Sequence, residues 1–253
     1  MSLTHLSLFS GIGGLDIAAE WAGFETVGQC EWADFPTKVL EKHWPDVPRW
    51  RDVRELTVES FWNRTQLQTV KCVSGGFPCQ PHSLAGKRLA SDDERDLWSE
   101  LFRIYCETGA KWIVAENVGG LLSSEDGRFF GRILRDLAGV GCHVWWHSFP
   151  ASTVGAVFGR ERIAIVACSD CNGLQRFVQR YSKADETHTI ARPPSPGVGT
   201  AISVWNSKKP DTIGIRESNG ISNWMDRIKS LGNAVVPQQF YPIFKAIAEL
   251  ENA

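Results

Sequence analysis

Short apolar runs alternate with amphipathic stretches along this chain. His5-Leu-Ser-Leu-Phe9 reads as a first strand, Ser10-Gly11-Ile12-Gly13-Gly14 follows it directly, and Leu15 to Ala22 has apolar residues at helical spacing that stop at Gly23. Glu25 to Cys30 is a second strand ending on Glu31. A helix capped by Asp34 then runs through Lys38, Leu40 and Glu41 and exits at Pro45. Trp50 to Val53 holds a short third strand with Asp52 near its end, and Val70 to Val73 a fourth. Helical spacing returns from Arg95 to Tyr105 and from Phe129 to Leu137. Lys111 to Ala115, Cys142 to Phe149 and Arg162 to Cys168 are strands, and a last amphipathic helix runs through Phe240, Ile243, Phe244, Ile247 and Leu250. Strands alternating with helices predict an α/β fold.

The pattern breaks from Ser169 to Gly220, where the chain is polar and carries Pro193-Pro194-Ser195-Pro196-Gly197. This predicts a catalytic domain of residues 1–168 plus 221–253 and a small irregular appendage at 169–220. The polar segment from Gly86 to Glu94 has the character of a flap.

The 253 residues, 43% hydrophobic, suffice for one large domain with an appendage. No apolar run approaches the roughly 18 residues of a membrane span, and no basic stretch followed by a long apolar core opens the chain, which predicts a soluble protein that is not exported. Seven cysteines spread through apolar segments suit a reducing cytosol better than a disulfide framework. Cys168 and Cys171 have zinc-ligand spacing, but a single pair cannot complete a tetrahedral shell, so no metal site is expected. The net charge of −2 does not advertise nucleic-acid binding, nor does it exclude it, because affinity depends on local clusters of Lys and Arg.

Candidate chemistry gathers where strands end. The glycines after the first strand place backbone N–H groups at a helix N-terminus, and Glu31, twenty residues beyond Gly11, stands where Rossmann-like folds grip ribose hydroxyls. Ser74-Gly75-Gly76-Phe77-Pro78-Cys79-Gln80-Pro81 reads as a sharp turn after a strand, stiffened by Pro78 and Pro81, that holds Cys79 on a rigid loop. Glu116 follows an apolar strand directly, and a carboxylate there must be paired or protonated to be buried. Arg160 and Arg162, at alternate positions on an extended segment, point the same way and suit a shared phosphate or carboxylate.

Together these residues resemble the cytosine-5 DNA methyltransferase family. The matches are Leu8-Phe9-Ser10-Gly11-Ile12-Gly13-Gly14, Gly76-Phe77-Pro78-Cys79-Gln80, Glu116-Asn117-Val118, Arg160-Glu161-Arg162 and Gly232-Asn233-Ala234-Val235-Val236-Pro237. They follow the family's order and span the chain apart from its polar stretch. The resemblance implies a Rossmann-like methyltransferase fold, a mostly parallel twisted sheet with helices on both faces, that binds S-adenosylmethionine. Phe9, Ser10, Gly11, Gly13, Gly14 and Leu15 would form the cofactor loop, with Glu31 on the ribose, Trp32 against the adenine, Asp52 and Val53 toward the adenine, and Pro78, Asn233 and Ala234 close by.

It also implies catalysis by Cys79, Glu116, Arg160 and Arg162 on a cytosine swung out of double-stranded DNA. Cys79 would add to carbon 6, Glu116 would act on ring nitrogen N3, Arg162 would help hold the ring, and the flap would close over the base. The family setting is a cytoplasmic, monomeric enzyme of prokaryotic or phage origin, of the restriction-modification kind. Only about fifty residues occupy the place of the family's longer target-recognition region, its arginine-rich anchoring motif has no clear match, and Phe158 stands where many members carry a polar residue. Two other readings stay open: a methyltransferase acting on tRNA cytosine with the same residues, and a catalytically silent DNA-binding relative.

Overall fold

The computed structural model describes residues 2–78, 97–154, 161–186 and 234–253, with backbone only at Cys171 and residues 183–186. Cys79, Arg160, Asn233, the flap and residues 187–220 lie outside the described residues.

Seven strands form one sheet in the order β3-β2-β1-β4-β5-β7-β6. They are β1 (Thr4–Leu8), β2 (Glu25–Cys30), β3 (Arg49–Trp50), β4 (Cys72–Gly76), β5 (Trp112–Val118), β6 (His143–Pro150) and β7 (Glu161–Cys168). β1 to β5 pair in parallel, whereas β7 runs antiparallel to both β5 and β6. The helices are α1 (Gly14–Trp21), α2 (Asp34–His43), α3 (Val58–Thr65), α4 (Trp98–Glu107), α5 (Arg128–Gly139), α6 (Cys171–Glu186) and α7 (Pro237–Glu251).

Alternation along the central strands makes two cores. In β5, Trp112 and Val114 face α1, α6 and α7, while Ile113 and Ala115 face α3, α4 and α5. β7 divides likewise, Ala164, Val166 and Cys168 to one side and Ile163, Ile165 and Ala167 to the other. A sheet covered on both faces reads as continuous apolar runs, and these two strands do. Glu251, at the end of α7, accepts hydrogen bonds from Lys111 and Trp112 and pairs with Lys71 at 2.9 Å, which fastens the helix to the lower edge of β4 and β5. Burial opposes the charge, but these three donors hold the Glu251 carboxyl down at about 2.

Several elements depart from the pattern reading. Gly75 and Gly76 are paired residues of β4, not a turn after it, and β5 continues through Glu116 to Val118. Asp34 lies inside the first turn of α2 rather than capping it; Ala33 is the cap, and the Asp34 carboxylate pairs with Arg51 at 2.5 Å. α3 begins with a Thr57–Ser60 capping box that lacks the usual Glu or Gln, so its start carries little sequence signal. α6 falls where an irregular appendage was expected: Leu174 and Phe177, three residues apart, are buried, and Phe177 packs on Trp112 and Trp145. The layer around the sheet therefore extends beyond Cys168.

Candidate active site

Strand order reverses between β1 and β4, and in an open α/β sheet the crevice at the carboxyl ends of such a pair is the natural ligand site. β1 delivers the glycine loop to this rim, β2 delivers Glu31, β4 delivers Phe77 and Pro78, and β5 delivers Glu116. Because β7 is antiparallel, its first residues, Glu161 and Arg162, reach the same rim.

The glycine loop is tightly tied. Phe9 leaves β1 at φ 51°, a left-handed conformation that a bulky residue adopts only under constraint. Ser10 N donates to Cys30 O at 3.0 Å, and Ser10 Oγ to Ser7 O at 3.1 Å. Gly11 is also left-handed; its N–H donates to Glu31 Oε2 at 2.8 Å, and a Cβ there would meet nothing within 4 Å, so the loop faces open space. The other Glu31 oxygen accepts from Ala33 N at 2.8 Å. A Cβ at Gly14 would stand 2.5 Å from Val235 O, which brings Ala234 and Val235 against the loop from the far end of the chain. Leu15 is buried beneath it.

Trp32, directly after Glu31, is 69% exposed on the rim, and Arg51 Nη2 donates to its carbonyl at 2.5 Å. Asp52 caps a short 3₁₀ turn (Val53–Glu55) that contains the buried Val53. Its carboxylate accepts from the backbone N–H of Arg54 and ion-pairs with the Arg54 guanidinium at 2.7 Å, whose hydrogen bonds hold it below the usual carboxylate range. No described site residue bonds to that carboxylate.

On the other side of the crevice, Glu116 and Arg162 are both buried and meet at 2.6 Å, Oε1 to Nε. In register Glu116 opposes Ala164 and Val118 opposes Arg162, so the two side chains are diagonal neighbours on one face. The contact is one of charge more than of an aligned hydrogen bond, because among the described residues Arg162 Nε has no hydrogen-bond partner. Arg162 Nη1 donates to Glu161 O at 2.8 Å. Phe77 is buried against Trp98 and Phe129, while Pro78 is exposed.

The family model of C-5 cytosine-specific DNA methylases matches residues 3–204. The chain belongs to that family. It is 34% identical over 171 residues to the Type II methyltransferase M.NgoMIV of Neisseria gonorrhoeae, covering 66% of this chain and 52% of that protein. Its fold is similar to that of a prophage-encoded E. coli protein described as a DNA modification methyltransferase (TM-score 0.57, 25% identity, 66% of this chain and 47% of that one). It is similar also to DNMT2 of Spodoptera frugiperda (TM-score 0.56, 24% identity, 67% and 51%). The chain spans about half the length of the curated relatives it matches. Among the described residues, no helix is long and apolar enough to cross a membrane.

Two site features escape the sequence. Asn117, buried between strands, donates from Nδ2 to Phe77 O at 3.0 Å and accepts from Val118 N at 2.8 Å, fixing the backbone two residues before Cys79. Asp16, also buried, accepts from both Ser7 and Gln29. The Glu-Asn-Val triplet contains the first signal; an acidic residue among the apolar positions of α1 is the second.

Proposed function

We propose that this chain methylates carbon 5 of cytosine in double-stranded DNA, with Cys79 as nucleophile. The observation that carries this is the meeting of two carboxylate centres at one crevice: Glu31 bonded to the glycine loop, and Glu116 beside Arg162 at the end of β4 and β5.

The residues present suit the implied methyl donor. Gly11 opens onto free space, the Glu31 carboxylate has lone pairs left for a ribose diol, and the exposed Trp32 ring offers a face to a purine. Phe9, Ser10, Gly13, Gly14 and Leu15 would shape the loop under it, Asp52 and Val53 would border the adenine, and Pro78, Asn233 and Ala234 would close the remaining side. Bound S-adenosylmethionine supplies an electrophilic methyl group.

Carbon 5 of cytosine is a poor nucleophile, and the chain's own groups must make it a better one. The Cys79 thiolate adds to carbon 6, pushing an electron pair toward N3. Glu116 shares a proton with N3 as charge gathers there, and the Arg162 guanidinium stabilises the negative charge left on the carboxylate. Arg160, two residues before Arg162, would assist in holding the ring. Loss of the carbon 5 proton and departure of Cys79 then restore the ring. A paired base hides both faces in the stack, so it must first be extruded from the duplex.

Purified chain incubated with the donor and either duplex DNA or tRNA, followed by nucleoside mass spectrometry, tests the reading. We expect 5-methyldeoxycytidine from the DNA. None from DNA, or 5-methylcytidine from tRNA alone, would overturn it.

A further inference from the structure

Asp16 is wholly buried in the first turn of α1, and its two oxygens are divided between two strands. Ser7 Oγ of β1 donates to Oδ2 at 2.9 Å, and Gln29 Nε2 of β2 donates to Oδ1 at 2.8 Å. Each strand leads, two residues later, into the rim of the crevice. Ser7 precedes Phe9, and its carbonyl also accepts from Ser10 Oγ; Gln29 precedes Glu31, whose carboxylate takes the Gly11 N–H.

Gln29 is fixed from its other side as well. Its Oε1 accepts from Arg49 Nε at 2.9 Å, and Arg49 Nη2 donates to Trp44 O at 2.6 Å. The Trp44 ring lies so close to Gly13 that a Cβ there would stand 2.5 Å from it. One run of side-chain bonds thus links α1, β1, β2, β3 and the exit of α2, and both of its ends touch the glycine loop.

Packing α1 on the sheet does not need a carboxylate, since an apolar residue would serve without the penalty of burying charge. That penalty is visible here: burial pushes the Asp16 carboxyl up to about 6, against the pull of Gln29 and Ser7. We infer that Asp16 is a positioning residue for the methyl-donor site, setting the distance between the glycine loop and Glu31. The inference rests on the reading of the crevice proposed above.

Two measurements on the full chain test it: calorimetric titration with S-adenosylhomocysteine, and amide hydrogen exchange without ligand. In Asp16→Ala we expect a Kd raised at least about tenfold, equal to about 1.4 kcal/mol. Ser10 and Gly11 amides should exchange at least about tenfold faster while those of β5 and β7 do not change. Turnover at saturating donor should stay within about threefold, because the loss is in binding. Asp16→Asn, which can accept from Gln29 and donate to Ser7, should restore both Kd and exchange. Should Asp16→Ala fail to fold, Gln29→Leu is expected to show the same two changes. A lowered melting temperature with wild-type Kd and wild-type exchange at Ser10 and Gly11, in Asp16→Ala or in Gln29→Leu, overturns the role given to Asp16. Absence of binding by the wild-type chain would instead overturn the reading of the crevice, and the exchange data would still decide the spacing.

Discussion

Gly76 and Glu116 pair across β4 and β5, and a Cβ on Gly76 would stand 2.8 Å from Glu116 Oε2. The carboxylate occupies the room the glycine leaves, with Arg162 Nε 2.6 Å from its other oxygen. Gly76 is thus small for the sake of the carboxylate beside it.

Gly76→Ala should push that carboxylate out of its place against Arg162. The displaced atom is the end of a flexible side chain, so overpacking lowers stability by only about 1 kcal/mol. Turnover should fall more than about tenfold with donor affinity unchanged. Single-turnover methylation and urea unfolding check both; wild-type turnover would mean that the glycine serves no catalytic placement.

Glu116→Gln keeps the volume and removes the charge proposed to act on N3, and turnover should drop by about two to three orders of magnitude. Glu116→Ala is a different experiment. It leaves the Arg162 guanidinium buried without its carboxylate, which should destabilise the fold by about 3–5 kcal/mol. Wild-type stability of Glu116→Ala in urea would contradict the pairing.

Asn117→Ala removes the donor to Phe77 O and leaves that carbonyl unsatisfied. A loss of about 1–3 kcal/mol follows from an unpaired buried group. Because the backbone it holds leads to Cys79, turnover should fall by about tenfold or more while the Kd for S-adenosylhomocysteine stays constant. A Kd that rises in step with the loss of turnover would point to a general disturbance of the crevice.

Stability between pH 4 and 7 should reflect two buried groups of opposite sign. His5 lies between Thr26 Oγ1 at 3.2 Å and Ser74 Oγ at 2.7 Å, and burial lowers its pKa from 6.5 to about 3. Its contribution is complete above pH 6.5 and is lost as the pH falls toward 3, because only the unfolded chain binds the proton in that window. Asp16, raised from 3.8 to about 6, runs the other way: its contribution is complete below 3.8 and is lost as the pH rises through 6. Each slope is about 1.4 kcal/mol per pH unit, so the two nearly cancel from about pH 4 to 6. Asp16→Asn removes one of them. Unfolding free energies from urea titration should nearly coincide with wild type near pH 4 and exceed it by about 3 kcal/mol at pH 7; a difference independent of pH would contradict the buried ionisation.

Much of this arrangement is legible in the residue pattern, for identifiable reasons. The strand, glycine loop and helix at the start of the chain are all local, and the spacing of Glu31 from Gly11 follows from two consecutive units of known length. The pairing of Glu116 with Arg162 is not local. It depends on β7 running antiparallel to β5, which nothing in the apolar run of β7 announces. Gly75 and Gly76 resemble turn residues because glycine usually marks a turn; here the backbone of Leu8 and the carboxylate of Glu116 approach too closely for a side chain. Asp16 looks like a solvated position of an amphipathic helix, and only the side chains of β1 and β2 reveal it as a shared acceptor. α6 was hidden by the polar residues around Leu174 and Phe177.

The proposed bond between Cys79 and a flipped cytosine is tested most directly by trapping. Duplex DNA carrying 5-fluorocytosine at the methylated position, incubated with the chain and S-adenosylmethionine, should yield a denaturation-resistant protein–DNA adduct that peptide mapping places on Cys79 and that Cys79→Ser lacks. Methylation of ordinary DNA with no such adduct, or an adduct on another residue, would contradict the account.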